Sequence, residues 1–299
     1  MKLLSPLLIF SLQFTQFGYA QQDDLSLIIK PGVQLEKLSG DFTFTEGPAA
    51  DVYGNVYFTD QPDDRIIVWS TKGELSTFMQ PSGRSNGLFF DKQGYLWSCA
   101  DENNELWRIS LDKNVDVILD KFIGRLFNGP NDLWISPDGS VFFTDPYYKR
   151  SWWNHTTMPQ EKQCVYFLSS DHKTLKRVAD DLVQPNGIIG TPDGKILYVA
   201  DIGGRKTWSY SINPDGSLGN KMLFCEMGSD GMTIDKKGNI YLTGKGVTIF
   251  DKTGKQLGNI AVPENWTANV CFGDKDRKSL FITASKGLYR IRTQVKGVY

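Results

Sequence analysis

The chain has 299 residues, with 33 Lys and Arg against 34 Asp and Glu. That balance excludes the basic footprint of a general nucleic-acid binder, and no polybasic or acidic block interrupts it. Two histidines, His155 and His172, and four cysteines without a CxxC pair exclude a zinc centre built on several imidazoles or thiolates, and so few cysteines do not make a disulfide scaffold.

Residues 1–20 carry a lone Lys2, an apolar run from Leu3 to Phe10 and a small-residue end at Gly18-Tyr19-Ala20. This is the layout of a secretory signal peptide, too short to span a bilayer. The expectation is an exported protein, periplasmic or secreted, with residues 21–299 forming one domain and no membrane insertion.

From residue 51 onward a short pattern recurs. The copies are DVYGNVYFTD (51–60), DKQGYLWSCA (91–100), SPDGSVFFTD (136–145), TPDGKILYVAD (191–201), DKKGNIYLTG (235–244) and the degenerate DKDRKSLFITA (274–284). Each is a polar turn running into a strand rich in β-branched and aromatic residues. The turn glycines stand at 54, 94, 139, 194 and 238, with Lys278 in the equivalent place of the sixth copy. A second strand follows each copy: RIIVW, ELWRI, CVYFL, KTWSYSI, GVTIF and GLYRI. Units of 40 to 55 residues made of short strands match propeller blades. The expected fold is all-β, a six-bladed β-propeller, closed by Leu25–Ile29 pairing with the last blade. A single blade buries too little alone, whereas stacking around a ring covers both faces of each sheet.

Eight residues before each turn glycine stand Glu46, Asn86, Asn131, Asn186 and Asp230. In the sixth unit Asn269 lies nine residues before Lys278, one out of step. Residues at one phase of a propeller repeat converge on its axis. Carboxylates and amides aimed at one another repel and resist desolvation, and a bound cation removes that cost. Oxygen donors without imidazole or thiolate suit a hard ion. Asn and Asp also cap turns, but Glu46 is a poor turn residue. The expected metal ligands are Glu46, Asn131, Asn186 and Asp230. The expected ion is one divalent cation, calcium, with magnesium or zinc as alternatives. Asn86 and Asn269 are expected to reach substrate or a metal-bound water.

At these residues the sequence resembles the SMP-30/gluconolactonase/LRE-like superfamily. The resemblance rests on FTEGPAADVYGNVYFTD, SNGLFFDKQGYLW, NGPNDLWISPDGSVFFTDP, VQPNGIIGTPDGKILYVAD, SDGMTIDKKGNIYLTGKGVTIFD and ANVCFGDKDRKSLFITASKGLYRI, between residues 44 and 291. It implies a six-bladed propeller with a central divalent ion that hydrolyses sugar lactones, with relatives acting on aryl esters or phosphotriesters. Carried over by position, the implied ligands are Glu46, Asn186 and Asp230, and Asn131 is a ligand or a substrate contact. Asp230 is also the implied general base. The animal branch has an arginine two residues before the Asn131 position; Gly129 stands there, as in bacterial-type members.

The chemistry expected is attack of water on a sugar-derived lactone carbonyl polarised by the metal, with Asp230 as catalytic base. No G-x-S-x-G elbow offers a covalent route. Arg84, two residues before Asn86, is the candidate for an anionic group of the substrate. The longest spacing holds Tyr147-Tyr148-Lys149-Arg150-Ser151-Trp152-Trp153-Asn154-His155. Its four aromatics and two bases can form a wall or lid over the site, where Lys149 or Arg150 would meet a carboxylate or phosphate, or an outer loop packed on the disc edge. It follows Asp145, read as the end of an inner strand, which leaves its end distal to the hub in the second case. His155 is the histidine candidate for a substrate contact there. Asp60, Asp145 and Asp201 repeat at strand ends and read as structural. Two other functions stay open: a promiscuous arylesterase or phosphotriesterase, and a non-catalytic, calcium-stabilised binding propeller.

Overall fold

The structure, a computed structural model, describes residues 24–299; the expected leader lies outside the described residues. Six four-stranded antiparallel sheets stand around an axis. Blade one runs Thr45–Ala50, Val56–Asp60, Arg65–Trp69 and Leu75–Met79. Blade two runs Ser85–Phe90, Leu96–Ala100, Glu105–Ile109 and Val115–Leu119. The inner strands of blades three to six are Leu133–Ile135, Pro185–Gly190, Met232–Ile234 and Thr267–Gly273. A two-stranded hairpin, Lys121–Phe122 with Arg125–Leu126, lies between blades two and three. Among the described residues no helix is long and apolar enough to cross a membrane.

Burial explains the sequence pattern. Second strands such as VYFTD, LWSCA, VFFTD and IYLTG are buried at every position, because neighbouring blades cover both faces. Outer strands such as LSTFM face solvent on one side. The hairpin turns are fixed by an aspartate whose Oδ1 accepts two backbone N–H bonds: Asp51 from Tyr53 and Asn55, Asp91 from Gln93 and Tyr95, Asp235 from Lys237 and Asn239. The turn glycines then take left-handed φ, +93° at Gly54 and +85° at Gly238. In the sixth turn that conformation falls on Arg277, φ +57°, rather than on Lys278.

Two expectations are corrected here. The strand that closes the ring is Glu36–Ser39, paired with Gly287–Arg292 as the outermost strand of blade six. Leu25–Ile29 does not pair with the last blade. Asp24–Leu27 forms a 3-10 turn, and Ile28 and Ile29 bury themselves in a cluster with Val247, Ile249 and Ile260. Second, the repeat copies are not inner strands. Each spans the turn and the second strand, so Asp60, Asp145 and Asp201 end second strands. The chain has by then returned to the face it started from, and the insertion after Asp145 therefore emerges on the hub-loop face.

Candidate functional site

The hub residues sit where the inner strands are irregular. Pairing slips between Glu46 and Ala49, Ser85 and Leu88, and Pro185 and Ile188. In blades three and five the strand begins only after Asn131 and Asp230, at Leu133 and Met232. A bulge re-aims a side chain, and these breaks release the hub side chains from the pleat. Glycine follows the hub residue in four blades because the neighbouring blade is too close for a Cβ. A methyl on Gly47 would meet the Asn86 carbonyl, and one on Gly231 would lie 1.9 Å from Asn269 Cγ. Backbone ties complete the ring: Gly87 N–H donates to the Asn131 carbonyl at 2.8 Å, and Thr59 Oγ1 donates to the Asn86 carbonyl at 3.1 Å.

The sixth blade departs from the set. Asn269 N–H donates to Thr283 Oγ1, as Gly231 N–H does to Thr243 Oγ1 and Asp132 N–H to Thr144 Oγ1. Asn269 is therefore equivalent to Gly231 and Asp132, one position past the hub residue. Ala268 holds the hub place, its carbonyl accepting from Thr243 Oγ1 at 2.7 Å just as that of Asn86 accepts from Thr59. The cause is an extra pair at the base of the hairpin, Gly273 with Ser279. The hub thus carries five oxygen-bearing side chains. Asn269 donates to Asp132 Oδ2 at 3.4 Å beside them.

Two of the expected ligands, Asn186 and Asp230, are in direct contact, and Glu46 lies within reach of the Asp230 charge. Asn186 Nδ2 donates to Asp230 Oδ1 at 2.7 Å and to the Tyr148 hydroxyl at 2.8 Å. Trp266 Nε1 donates to Asp230 Oδ2 at 2.5 Å. Glu46 Oε2 accepts from Gly47 N–H at 2.8 Å. Burial, then the Asp230 charge, raises the Glu46 carboxyl well above its usual range. Burial also raises Asp230, opposed by the Trp266 and Asn186 hydrogen bonds and by the Arg150 charge. Burial pushes Asp132 up to about 8. Asn86 and Asn131 are buried in the same ring.

Among the described residues no group of three or more His, Cys, Asp or Glu is placed to hold a metal. The hub is a different donor set, two carboxylates with amides. Two observations test its fit to a hard cation. Burial makes both Glu46 and Asp230 costly to ionise, the Asp230 charge adds to that cost at Glu46, and the Asn186 Oδ1 is buried with no hydrogen-bond partner. A buried carbonyl oxygen without a donor costs about 1–3 kcal/mol. An oxygen-seeking cation would use that atom and both carboxylates, so the residues fit.

The surroundings were only partly foreseen. The insertion reaches the hub through Tyr148, which favours the wall over the outer loop of its two readings. His155 does not join the hub side chains: its ring stacks on Trp153 with centroids 4.7 Å apart. Arg84 lies over the Trp152 ring, 4.7 Å from its centroid, and donates from Nη1 to the Pro62 carbonyl at 2.7 Å. Trp266 was missed, although it stands two residues before Ala268, the same phase as Arg84 before Asn86. Asp60, Asp145 and Asp201 each accept two backbone N–H bonds from the loop that leads into their own hub residue. Their role is to fix that loop. A channel of about 480 Å³ opens at the opposite mouth between the hairpin turns, lined by Leu88, Leu133, Ile188, Met232 and Val270. It is largely apolar and includes none of Glu46, Asn186 or Asp230 in its lining.

Six blades with oxygen side chains gathered at one mouth of the axis define a β-propeller with a hub site. The chain belongs to the SMP-30/gluconolactonase/LRE-like family, whose region matches residues 44–286. It is similar to the gluconolactonase of Zymomonas mobilis, 29% identical with 91% of this chain and 85% of that protein aligned. A solved gluconolactonase structure from Xanthomonas campestris superposes with a TM-score of 0.83 at 28% identity, covering 90% of this chain and 92% of that one. Regucalcin of Oryctolagus cuniculus is 25% identical over 78% of this chain and 80% of its own length. A gluconolactonase-like hydrolytic function is supported at the level of the superfamily.

Proposed function

We propose that the protein is a calcium-dependent lactonase that opens sugar-derived lactones at the hub. The observation that carries this is the convergence of Glu46, Asn186 and Asp230, with the Asn186 Oδ1 buried and unpartnered among them. Similarity to gluconolactonases supports the lactone, and regucalcin-type relatives suggest a calcium-associated family. Glu46, Asn186 and Asp230 would hold the ion, with Asn131 beside them.

When bound, the cation supplies Lewis-acid polarisation of the lactone carbonyl. Water adds to the carbonyl carbon, and its proton passes to a carboxylate oxygen of Asp230. The ring C–O bond then breaks, the leaving alkoxide takes that proton back from Asp230, and the open hydroxy acid leaves with the carboxylate regenerated. Two features suit Asp230 to the proton: its raised affinity and the Trp266 and Asn186 donors that fix its orientation. Trp266 and Tyr148 flank the carboxylate and its Asn186 partner on the hub-loop face, where they narrow access of bulk water.

The test is acid release from D-glucono-1,5-lactone by purified protein, with and without chelator. Calcium-dependent turnover, reduced at least a hundredfold by Glu46→Gln and by Asp230→Asn, is the expected result, with about one divalent ion per chain by metal analysis. Background rates with every lactone, aryl ester and phosphotriester, alongside retained calcium binding, would instead establish a binding propeller. Export is a separate part of the proposal: the amino terminus of secreted protein should begin at Gln21.

A further inference from the structure

We propose that Arg84 and Arg150 form an anion-binding wall beside the hub, so that the substrate is a sugar lactone bearing a second, anionic group remote from the carbonyl under attack. This deepens the lactonase reading and rests on it. The wall is built from two blades and the insertion. Arg150 lies over the Tyr148 ring at 5.3 Å and over the Trp152 ring at 5.5 Å, and Arg84 lies over the same Trp152 ring at 4.7 Å. Tyr148 in turn bonds Asn186, and the Arg150 charge is felt at Asp230. Arg150 is therefore separated from the proposed ligand Asn186 by the Tyr148 side chain, and Arg84 lies farther out, across the Trp152 ring from Arg150.

Of the two charges, that of Arg84 is only loosely answered. One buried carboxylate serves both: Asp101 Oδ2 accepts from Arg150 Nε at 3.0 Å, and the Arg84 charge also acts on it. The other carboxylate near Arg84 is Glu102, half-exposed and 3.9 Å from Nε. The Arg84 Nε is itself buried without a hydrogen-bond partner. Gathering two guanidinium groups over one indole is unfavourable for their mutual repulsion, and an oxyanion beside them would offset it.

The local backbone is committed to this arrangement. Arg84 is held at φ +48°, a strained conformation for a residue with a side chain. In blades one, three and four an aspartate at the end of the second strand fixes the loop before the hub residue. In blade two Ala100 takes the place of Asp60, paired with Ser85 as Asp60 is with Thr45. The loop is fixed instead from blade one, by Asp64 Oδ1 accepting from Ser82 N–H and Arg84 N–H at 2.9 and 2.7 Å. This exchange turns Arg84 toward the insertion.

The experiment compares kcat/KM for 6-phosphoglucono-1,5-lactone, D-glucaro-1,4-lactone and neutral D-glucono-1,5-lactone on the calcium-loaded full chain. The wild type should prefer an anionic lactone by about tenfold to a hundredfold, the range of one or two hydrogen bonds to a charged group. Arg150→Gln and Arg84→Gln should each lower that preference about tenfold, and Arg150→Lys should restore part of it. The phosphate and carboxylate arms tell which oxyanion the wall takes. Binding of 6-phosphogluconate, glucarate and gluconate, measured by calorimetry, keeps the proposal separate from the lactonase reading. If no lactone turns over yet an anionic acid binds at least tenfold tighter than gluconate, and Arg84→Gln abolishes the difference, the wall stands and the lactonase reading falls. A wild type that binds all three acids equally, or an anionic preference unchanged in all three variants, overturns the wall.

Discussion

Asp230→Asn separates the two things its carboxylate is proposed to do. In the wild type Asp230 accepts from Trp266 and Asn186. The new amide can keep the Trp266 bond with its oxygen. Its NH2 can donate to the Asn186 Oδ1, which otherwise has no partner, once that side chain turns over. Hydrogen bonds are then conserved in number, and the cost should stay within about 1 kcal/mol. The substitution also removes a negative charge that burdens Glu46. Without calcium, the variant should therefore melt within about 2 °C of the wild type, or above it at pH 8, taking about 2 °C per kcal/mol for a chain of this size. With calcium at a hundred times its dissociation constant, the wild type gains about 2.7 kcal/mol, an upward shift of about 5 °C. The variant should lose that shift. Differential scanning calorimetry in chelator and in calcium reads both quantities. A variant that keeps the full calcium shift, or falls by 10 °C without calcium, would refute the assignment of Asp230 as a ligand.

Other outcomes follow from the same geometry. Burial raises Glu46, Asp101, Asp132, Asp145 and Asp230, with Asp101 at about 6, Asp145 at about 7 and Asp132 at about 8. A carboxyl raised on folding contributes most below its unfolded value and loses that contribution as pH climbs through its folded value. Calcium-free protein should thus lose thermal stability between about pH 4 and pH 8, and calcium should stabilise it more at pH 8 than at pH 5; equal shifts at both would contradict this. Gly231→Ala would put a methyl inside the Asn269 side chain, and should lower the melting point by about 2–6 °C, the usual range for overpacking. Ile28→Ala, at a position 1% exposed, should cost about 2–5 kcal/mol. Glu36→Ala, which breaks only an exposed pair with Arg290, should cost under about 1 kcal/mol. Thermal denaturation of both variants checks that order, and a reversed order would mean that closure depends on that pair.

The blade count was legible because each hairpin turn needs a left-handed residue, and glycine marked five of six. In the sixth hairpin one extra pair moves the hub place a residue farther from the turn, so the phase slipped and Asn269 was placed in the ring that Ala268 completes. The same slip hid Trp266. The closing strand was misplaced for a different reason. An outer edge joins by backbone bonds and stays half-exposed, so Glu36–Ser39 reads as polar. The apolar run at Leu25–Ile29 signals burial under a neighbouring sheet instead. Reading the conspicuous VYFTD-type segments as inner strands reversed the chain direction by one strand. That left open which mouth the insertion reaches. The hub residues themselves were legible because convergence on the axis depends on phase alone. Tyr148 was not, and Arg150 was legible only as one of two bases able to meet an anion, because their placement depends on how a loop folds back over three blades.

The ring is sealed by hydrogen bonds between residues 36–39 and residues 287–292, and Thr45 reaches across the same seam to the Ser285 and Gly287 carbonyls. A ribosome must therefore have released nearly the whole sequence before blade six can assemble. Until that moment blade one has an uncovered flank, and the five hub side chains have no fixed centre to face. Long-range pairing of this kind folds slowly. A protein destined to cross a membrane unfolded would turn that delay to advantage, since its last and most distant contact is also the one that locks the structure.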